Sequence, residues 1–475
     1  MRQFILCALS LLMCSSAFAS GFVVARFGGE HGHPTTSNPT ALYYNPAALS
    51  LGSGTRLFID GTLAYRSVDY TRPLSAVQDP SNADGASGEL NAGTATLRNF
   101  AGSPFVGVAT DFGVPKLNVG FGFFAPFGGG ASWDERSDLS KEQREAYPGV
   151  QDGAQRWWSI DSSLKVLYFS AGASYQLHDM VSFGLSVNYV RSSIDTVRAR
   201  NSDGSDNLVQ PNGTNAGELE EGRSYLSAEG SDLAVGAGVL ITPNNSLRIG
   251  YSYQSQPGLS GETKMQGELW SSVKATPSPE EAQEVEFHQA LPDIHRLGVT
   301  WRQSEKLELR AFGDYVRWSV FKDQCVTSEI NAPCQVTADG AAVEGTKPTL
   351  NIKRNWQDAF GVRVGGSYWL TPSVELYLGG GYDSNAATDE GTDPSLFDMN
   401  KYSAAVGGRV ALLDGALVLA LTYTQVFYET REVPVTYNQN DQPSNPFSST
   451  SNGPSAAGTY EQSIGVGNLN VEYRF

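Results

Sequence analysis

Along most of this chain apolar and polar residues alternate one for one. Leu247, Ile249, Tyr251 and Tyr253 are separated by Arg248, Gly250 and Ser252. Leu297, Val299 and Trp301 alternate with Arg296, Gly298, Thr300 and Arg302, and Leu307, Leu309 and Ala311 with Glu308, Arg310 and Phe312. Val374, Leu376 and Leu378 interleave Glu375, Tyr377 and Gly379. Successive side chains of a strand point to opposite faces, so each segment carries one apolar face and one polar or small face. Strands of a soluble sandwich average ~5–6 residues. These segments approach the ~9–11 residues that cross a bilayer when tilted.

The pattern predicts fourteen strands: 56–70, 104–112, 116–127, 163–176, 181–197, 224–241, 246–256, 294–302, 306–321, 357–369, 373–383, 401–412, 416–428 and 464–475. Six connections are short and rich in Pro, Asn, Asp and Gly, such as Gly113-Val114-Pro115 and Thr242-Pro243-Asn244-Asn245. They alternate strictly with seven long ones. A soluble sandwich has no reason to sort its loops by side, whereas an even-stranded outer-membrane barrel does. The expected fold is therefore all-β, a fourteen-stranded antiparallel transmembrane barrel. Its last strand places Leu469, Val471, Tyr473 and Phe475 on one face.

Composition narrows the class further. Among 475 residues only 17% are charged, against ~25% in an ordinary soluble domain, while 51 are glycine. Beyond the N-terminus no apolar run approaches the ~18 residues of a spanning helix. Residues 1–19 read as an export signal, with Arg2, an apolar stretch from Phe4 to Met13, and Ala17-Phe18-Ala19. The formal net charge of −17, one unit more negative once Arg2 is removed, disfavours nucleic-acid partners. Beyond the signal only Cys325 and Cys334 remain, an even pair whose oxidising destination favours one local disulfide over two free thiols.

Residues 20–55 show no alternation and are rich in Gly and Pro, so they form either a periplasmic tail or a plug in the lumen; the size of the barrel favours the plug. This region carries Ala41-Leu42-Tyr43-Tyr44-Asn45-Pro46-Ala47-Ala48-Leu49, and further on stand Phe124-Ala125-Pro126-Phe127-Gly128, Leu291-Pro292-Asp293 with Leu297-Gly298, and the terminal Phe475. In these motifs the chain resembles the FadL/TodX family of outer-membrane transporters. The resemblance implies a monomeric barrel in the outer membrane of a Gram-negative bacterium, with an N-terminal hatch at 20–55 and the barrel over 56–475. It also implies uptake of hydrophobic molecules by surface capture, hatch rearrangement and lateral exit near the third strand, through a wall bathed in lipid and lipopolysaccharide. Long-chain fatty acids are the expected cargo, with monoaromatic hydrocarbons as the alternative.

Within that frame Asn45, Pro46 and Ala47 are expected to fix the hatch backbone as gating structure. Phe22, Val23, Val24 and Phe27 of the hatch, with Phe124 and Phe127, are candidates for contact with a hydrophobic ligand. Gly120, Gly122 and Pro126 weaken the third strand and suit a side exit, or else mark a bulge in an intact wall. Arg248, Arg296, Arg302 and Arg310 fall on polar faces, placed to meet a carboxylate headgroup or to form ion pairs in the lumen. Pro279 to Glu286 reads as a short acidic helix in a surface connection, with Trp270, Val273 and Leu291 as an apolar patch at its base. No cofactor is expected. With five histidines and no G-x-S-x-G elbow the chain does not read as an enzyme, and His31-Gly32-His33 alone is too little for a metal site. A diffusion porin would lack the plug, and a surface receptor or adhesin would use the long loops without transport.

Overall fold

In the computed structural model the described residues are 26–78, 87–201, 204–209, 219, 221–272, 282–337, 341–447 and 453–475. The signal segment and Phe22, Val23 and Val24 lie outside them. Fourteen strands form the wall: β1 Thr55–Arg72, β2 Gly93–Thr110, β3 Leu117–Ser132, β4 Asp161–His178, β5 Val181–Arg200, β6 Gly222–Asn244, β7 Leu247–Gln254, β8 Ile294–Arg302, β9 Leu307–Val316, β10 Ala359–Thr371, β11 Val374–Asp383, β12 Lys401–Leu412, β13 Leu417–Tyr428 and β14 Gly458–Arg474. Each pairs antiparallel with the next, and β14 closes on β1 from Arg56↔Arg474 to Thr71↔Thr459. Closure gives every strand a partner on both sides, which matters in lipid, where an unpaired backbone group is costly; only β2 and β3 pair over a short part of their length.

The alternation is read out as built. On β1, Phe58, Ala64, Val68 and Tyr70 face the lumen, while Ile59, Leu63 and Tyr65 face outward and are exposed. Two strands run further than their apolar pattern. β2 begins at Gly93, eleven positions earlier than the expected start at 104, and β14 begins at Gly458. In both, the outward positions of the added turns are polar (Thr96 and Arg98, Thr459 and Glu461), because the strands rise past the lipid into water. β9 is shorter than expected, since Trp318–Val320 turns into a 3-10 helix.

The long connections are not plain loops. Thr263–Ser272 pairs with the upper part of β6 and then with Ala282–Gln289, which pairs with Asp323–Thr327, which pairs with Pro348–Lys353. This sheet roofs the lumen at the long-loop rim. It corrects the acidic-helix expectation: 282–286 is strand, and only 279–281 and Val273 fall outside the described residues. Val285, Phe287 and Leu291 are fully or nearly buried, so ladder pairing and burial outweigh the helical preference of the glutamates. Trp270 packs on Tyr225, 4.9 Å between ring centres. The Cys325–Cys334 disulfide forms within the roof, closing a loop of sequence separation nine.

A hatch, an apolar cavity and a window in the wall

Residues 26–54 fill the lumen toward the short-turn rim. Ala41–Tyr44 forms one helical turn and Pro46–Leu51 a 3-10 helix, with Asn45 between them in extended backbone. Asn45 is fully buried and uses its whole amide. Its Oδ1 accepts from the Ala47 N–H at 3.1 Å, and its Nδ2 donates to the carbonyls of Pro34 at 2.9 Å and of Val239 on β6 at 3.1 Å. Pro46 starts the 3-10 helix, where a missing N–H costs nothing. The wall makes room for this motif: a Cβ on Gly238 would sit 1.9 Å from Asn45 Oδ1, and one on Gly184 would sit 2.1 Å from the Ala47 nitrogen. Pro46 and Ala47 are buried against that floor.

Other hatch contacts reach around the barrel. The Gly28 N–H donates to Asp60 on β1, Thr35 bonds Thr300 on β8, and Arg26 lies 3.8 Å from Asp383 on β11. His31 Nε2 meets Glu375 Oε1 at 2.9 Å with its ring edge-on to Tyr377. Burial and the nearby Arg409 lower the His31 pKa to about 4, so its imidazole is neutral at neutral pH. His33 is likewise held well below its usual value by burial and by Arg310.

Phe27, Phe124 and Phe127 meet in one buried aromatic cluster. Phe27 contacts Tyr43, Phe105 and Phe124 at 5.3–5.6 Å, and Phe124 stacks on Phe105 and Tyr168. Gly120 and Gly122 of β3 have a reason other than weakening the strand: a Cβ at either would press on Leu42 of the hatch, at 3.2 and 3.0 Å.

Above the cluster, beneath the roof, is a cavity of about 120 Å³. Leu164, Ile194, Leu226, Leu269, Phe287, Leu350, Ile352, Leu396 and Phe397 make its wall apolar. Its charged lining consists of Arg66, Arg198 and Arg354, with no carboxylate. Arg354 is paired with Asp393 at 2.8 Å. Arg66 bonds the Gln462 side-chain oxygen at 2.8 Å and lies over the Phe397 ring, but pairs with no acid among the described residues. Arg198 has no ion pair or side-chain hydrogen bond among the described residues.

The wall beside this cavity is not fully laddered. β1 and β2 pair along their whole length, but β2 and β3 pair only from Phe105↔Phe124 to Thr110↔Val119. The β3–β4 register then shifts between Phe124 and Phe127, at Ala125-Pro126, and β3 continues paired to β4 alone. At the top, the Asp134 N–H donates to the Thr96 carbonyl at 2.9 Å. Between these limits lies a window without backbone bonds. It is crossed only by side-chain bonds: Ser103 to the Ala125 carbonyl at 3.4 Å, and Asn99 and Arg66 to the Gly130 carbonyl at 3.4 and 3.3 Å. Gly129, Gly130 and Ala131 line both window and cavity.

None of the four arginines singled out from the sequence lines the apolar cavity. Arg296 clamps the hatch, with its guanidinium 4.2 Å from the Tyr43 ring centre and bonded to the Tyr43 carbonyl and to Gln254. It also lines a second, charged cavity with Glu30, Asp314, Arg363 and Asp383. Arg310 pairs with Glu308 and Ser367. Arg248 is half-buried opposite Thr300. Arg302 corrects the inward-facing expectation: it is exposed at the short-turn rim, bonded to the Glu305 carbonyl and stacked on Trp369, because β8 ends there. Arg66 and Arg198 were not singled out. Arg66 alternates on the polar face of β1, and Arg198 follows the expected end of β5 by one residue, in phase with Ile194 and Thr196.

A closed fourteen-stranded barrel with a folded hatch in its lumen defines a plugged outer-membrane channel. The profile of the family described as outer membrane protein transport protein (OMPP1/FadL/TodX) matches residues 11–475, and the chain belongs to that family. It is therefore an outer-membrane channel for hydrophobic compounds and not an enzyme. Among solved structures it resembles a Pseudomonas aeruginosa FadL homologue, with 17% identity, 97% of this chain and 98% of that one covered, and a TM-score of 0.70. It also resembles the P. putida toluene transporter TodX (14% identity, 97% and 99% covered, TM-score 0.63) and the Ralstonia pickettii toluene transporter TbuX (18%, 96% and 98%, TM-score 0.58). At these identities the likeness is one of fold. No curated protein sequence matches the chain.

Proposed function

We propose that this channel carries long-chain fatty acids, and that it does so as a monomer. One observation carries the choice of cargo: the apolar cavity has arginines as its only charged lining, and two of them, Arg66 and Arg198, make no ion pair among the described residues. Burying an uncompensated guanidinium is costly, and a ligand carboxylate relieves that cost in a bidentate pair while its alkyl chain occupies the leucine-rich wall. A neutral arene satisfies only the apolar part. In this reading the acid is captured at the loops, settles under the roof, and leaves sideways through the window between β2 and β3, with Pro126 withholding a ladder donor. The hatch, held by Asn45, Pro46 and Ala47, shifts during passage. Phe27, Phe124 and Phe127 flank the route below the cavity.

Calorimetric titration of the detergent-purified chain with oleate, oleyl alcohol and toluene tests this. A charge-assisted hydrogen bond is worth roughly 1.5–3 kcal/mol. Oleate should therefore bind about 10- to 100-fold more tightly than the alcohol, and Arg198→Gln should erase most of the difference. Equal affinity for oleate and oleyl alcohol, or preference for toluene, overturns the fatty-acid reading in favour of hydrocarbons. Binding of none of the three favours the receptor alternative.

A further inference from the structure

We propose that Arg66 is a ligand-operated latch on the wall window, so that a carboxylate, and not merely an apolar molecule, opens the side of the barrel. The proposal rests on the fatty-acid reading and goes beyond it by naming the step at which selectivity acts.

Gly130 is where cavity and window meet. Its carbonyl has no β2 partner in the ladder, and it accepts instead from Arg66 Nη1 at 3.3 Å and Asn99 Nδ2 at 3.4 Å across the gap. Both bonds are long, and so is the only other side-chain bridge, from Ser103 to Ala125. Arg66 is nearly buried, is anchored through Nε to Gln462, and makes no hydrogen bond through Nη2 among the described residues. Its guanidinium therefore holds the edge of β3 with one nitrogen and leaves another open toward the cavity.

A carboxylate arriving there competes for the Nη1–Nη2 fork. A carboxylate offers the guanidinium two short parallel bonds and an opposite charge in place of one long bond to a neutral carbonyl, so the exchange runs toward the ligand. Gly130 then keeps only the weak Asn99 bond. The Gly128-Gly129-Gly130 run lacks side chains to pack and has the broadest backbone freedom, so the released edge moves easily. An alcohol or an alkane of the same length fills the cavity but gives Arg66 no anion to prefer. Lysine at this position would keep the charge without the fork.

Hydrogen–deuterium exchange of the full chain, followed on amides 125–132, tests the latch, with calorimetry alongside to show occupancy. Saturating oleate should speed exchange of this segment about 10-fold, and saturating oleyl alcohol should leave it unchanged. Arg66→Lys should exchange fast with or without ligand, so that oleate no longer changes the rate. If oleate binds and exchange at 125–132 does not change, or if oleyl alcohol changes it equally, the latch is overturned and the fatty-acid reading stands. If oleate does not bind, both fall together. The wild-type comparison decides the matter even if the variant fails to assemble.

Discussion

Replacing Asn45 by alanine removes three hydrogen bonds from a fully buried site: the cap on Ala47 and the donations to Pro34 and Val239. The wall offers no substitute, because the facing positions are Gly238 and Gly250 and present only backbone. At ~1–1.5 kcal/mol net for each bond, undocking of the hatch becomes easier by about 3–4 kcal/mol, or roughly 100- to 1000-fold in the open population. The barrel should be untouched, since only the Val239 bond reaches the wall and its ladder remains. Hydrogen exchange at amides 41–49 reads the effect, while heat-modifiable gel mobility reports the barrel. Asn45→Asp should act in the same direction while keeping the Ala47 cap, because it turns an acceptor toward the two carbonyls. Unchanged exchange at 41–49 in both variants would refute the view that Asn45 holds the hatch.

Gly238→Ala should mimic this effect from the wall side, because its Cβ collides with the Asn45 amide; wild-type exchange at 41–49 in that variant would contradict the packing described here. Hatch docking should weaken on acidification. His31 has a pKa of about 4 when docked and ~6.5 when solvated, so stabilisation is full above ~6.5 and is lost as pH falls toward 4, by roughly 3 kcal/mol at most. The protection factor of amides 41–49, the observed rate set against the intrinsic rate at each pH, should fall between pH 8 and 4.5 in the wild type and stay flat in His31→Asn. Replacing Cys325 and Cys334 by serine should loosen the roof by about 2–3 kcal/mol, from the entropy of the short loop that the bridge closes. Faster exchange at 323–327 with an unaltered barrel is the expected result.

The strands were legible because one face of each meets lipid, and the period-2 signal is strongest where apolar residues must point outward. It failed where that constraint ends. The upper part of β2 and the start of β14 turn polar residues outward and bury Ala95, Leu97 and Tyr460 inward, and the strand at 282–289 hides behind four glutamates or glutamines that suggest a helix. The hatch motif was visible as Asn45-Pro46-Ala47, although its partners were not: Pro34, Val239 and the glycine floor are distant in sequence. Cavity residues were the hardest to see. Arg66 and Arg198 differ from Arg248 and Arg310 in facing the apolar cavity, a property of the assembled barrel that periodicity does not carry. Gly120 and Gly122 were legible as strand-weakening positions, whereas their fit against Leu42 was not.

Uptake of labelled oleate and toluene tests the central claim most directly, in cells whose only outer-membrane channel for hydrophobic solutes is this chain or its Arg66→Gln/Arg198→Gln variant. The account predicts that the wild type accelerates oleate uptake well above its effect on toluene, and that the double variant loses the oleate advantage while retaining an assembled barrel. Oleate uptake that is equal in the two chains, or a wild type that carries only toluene, would contradict it.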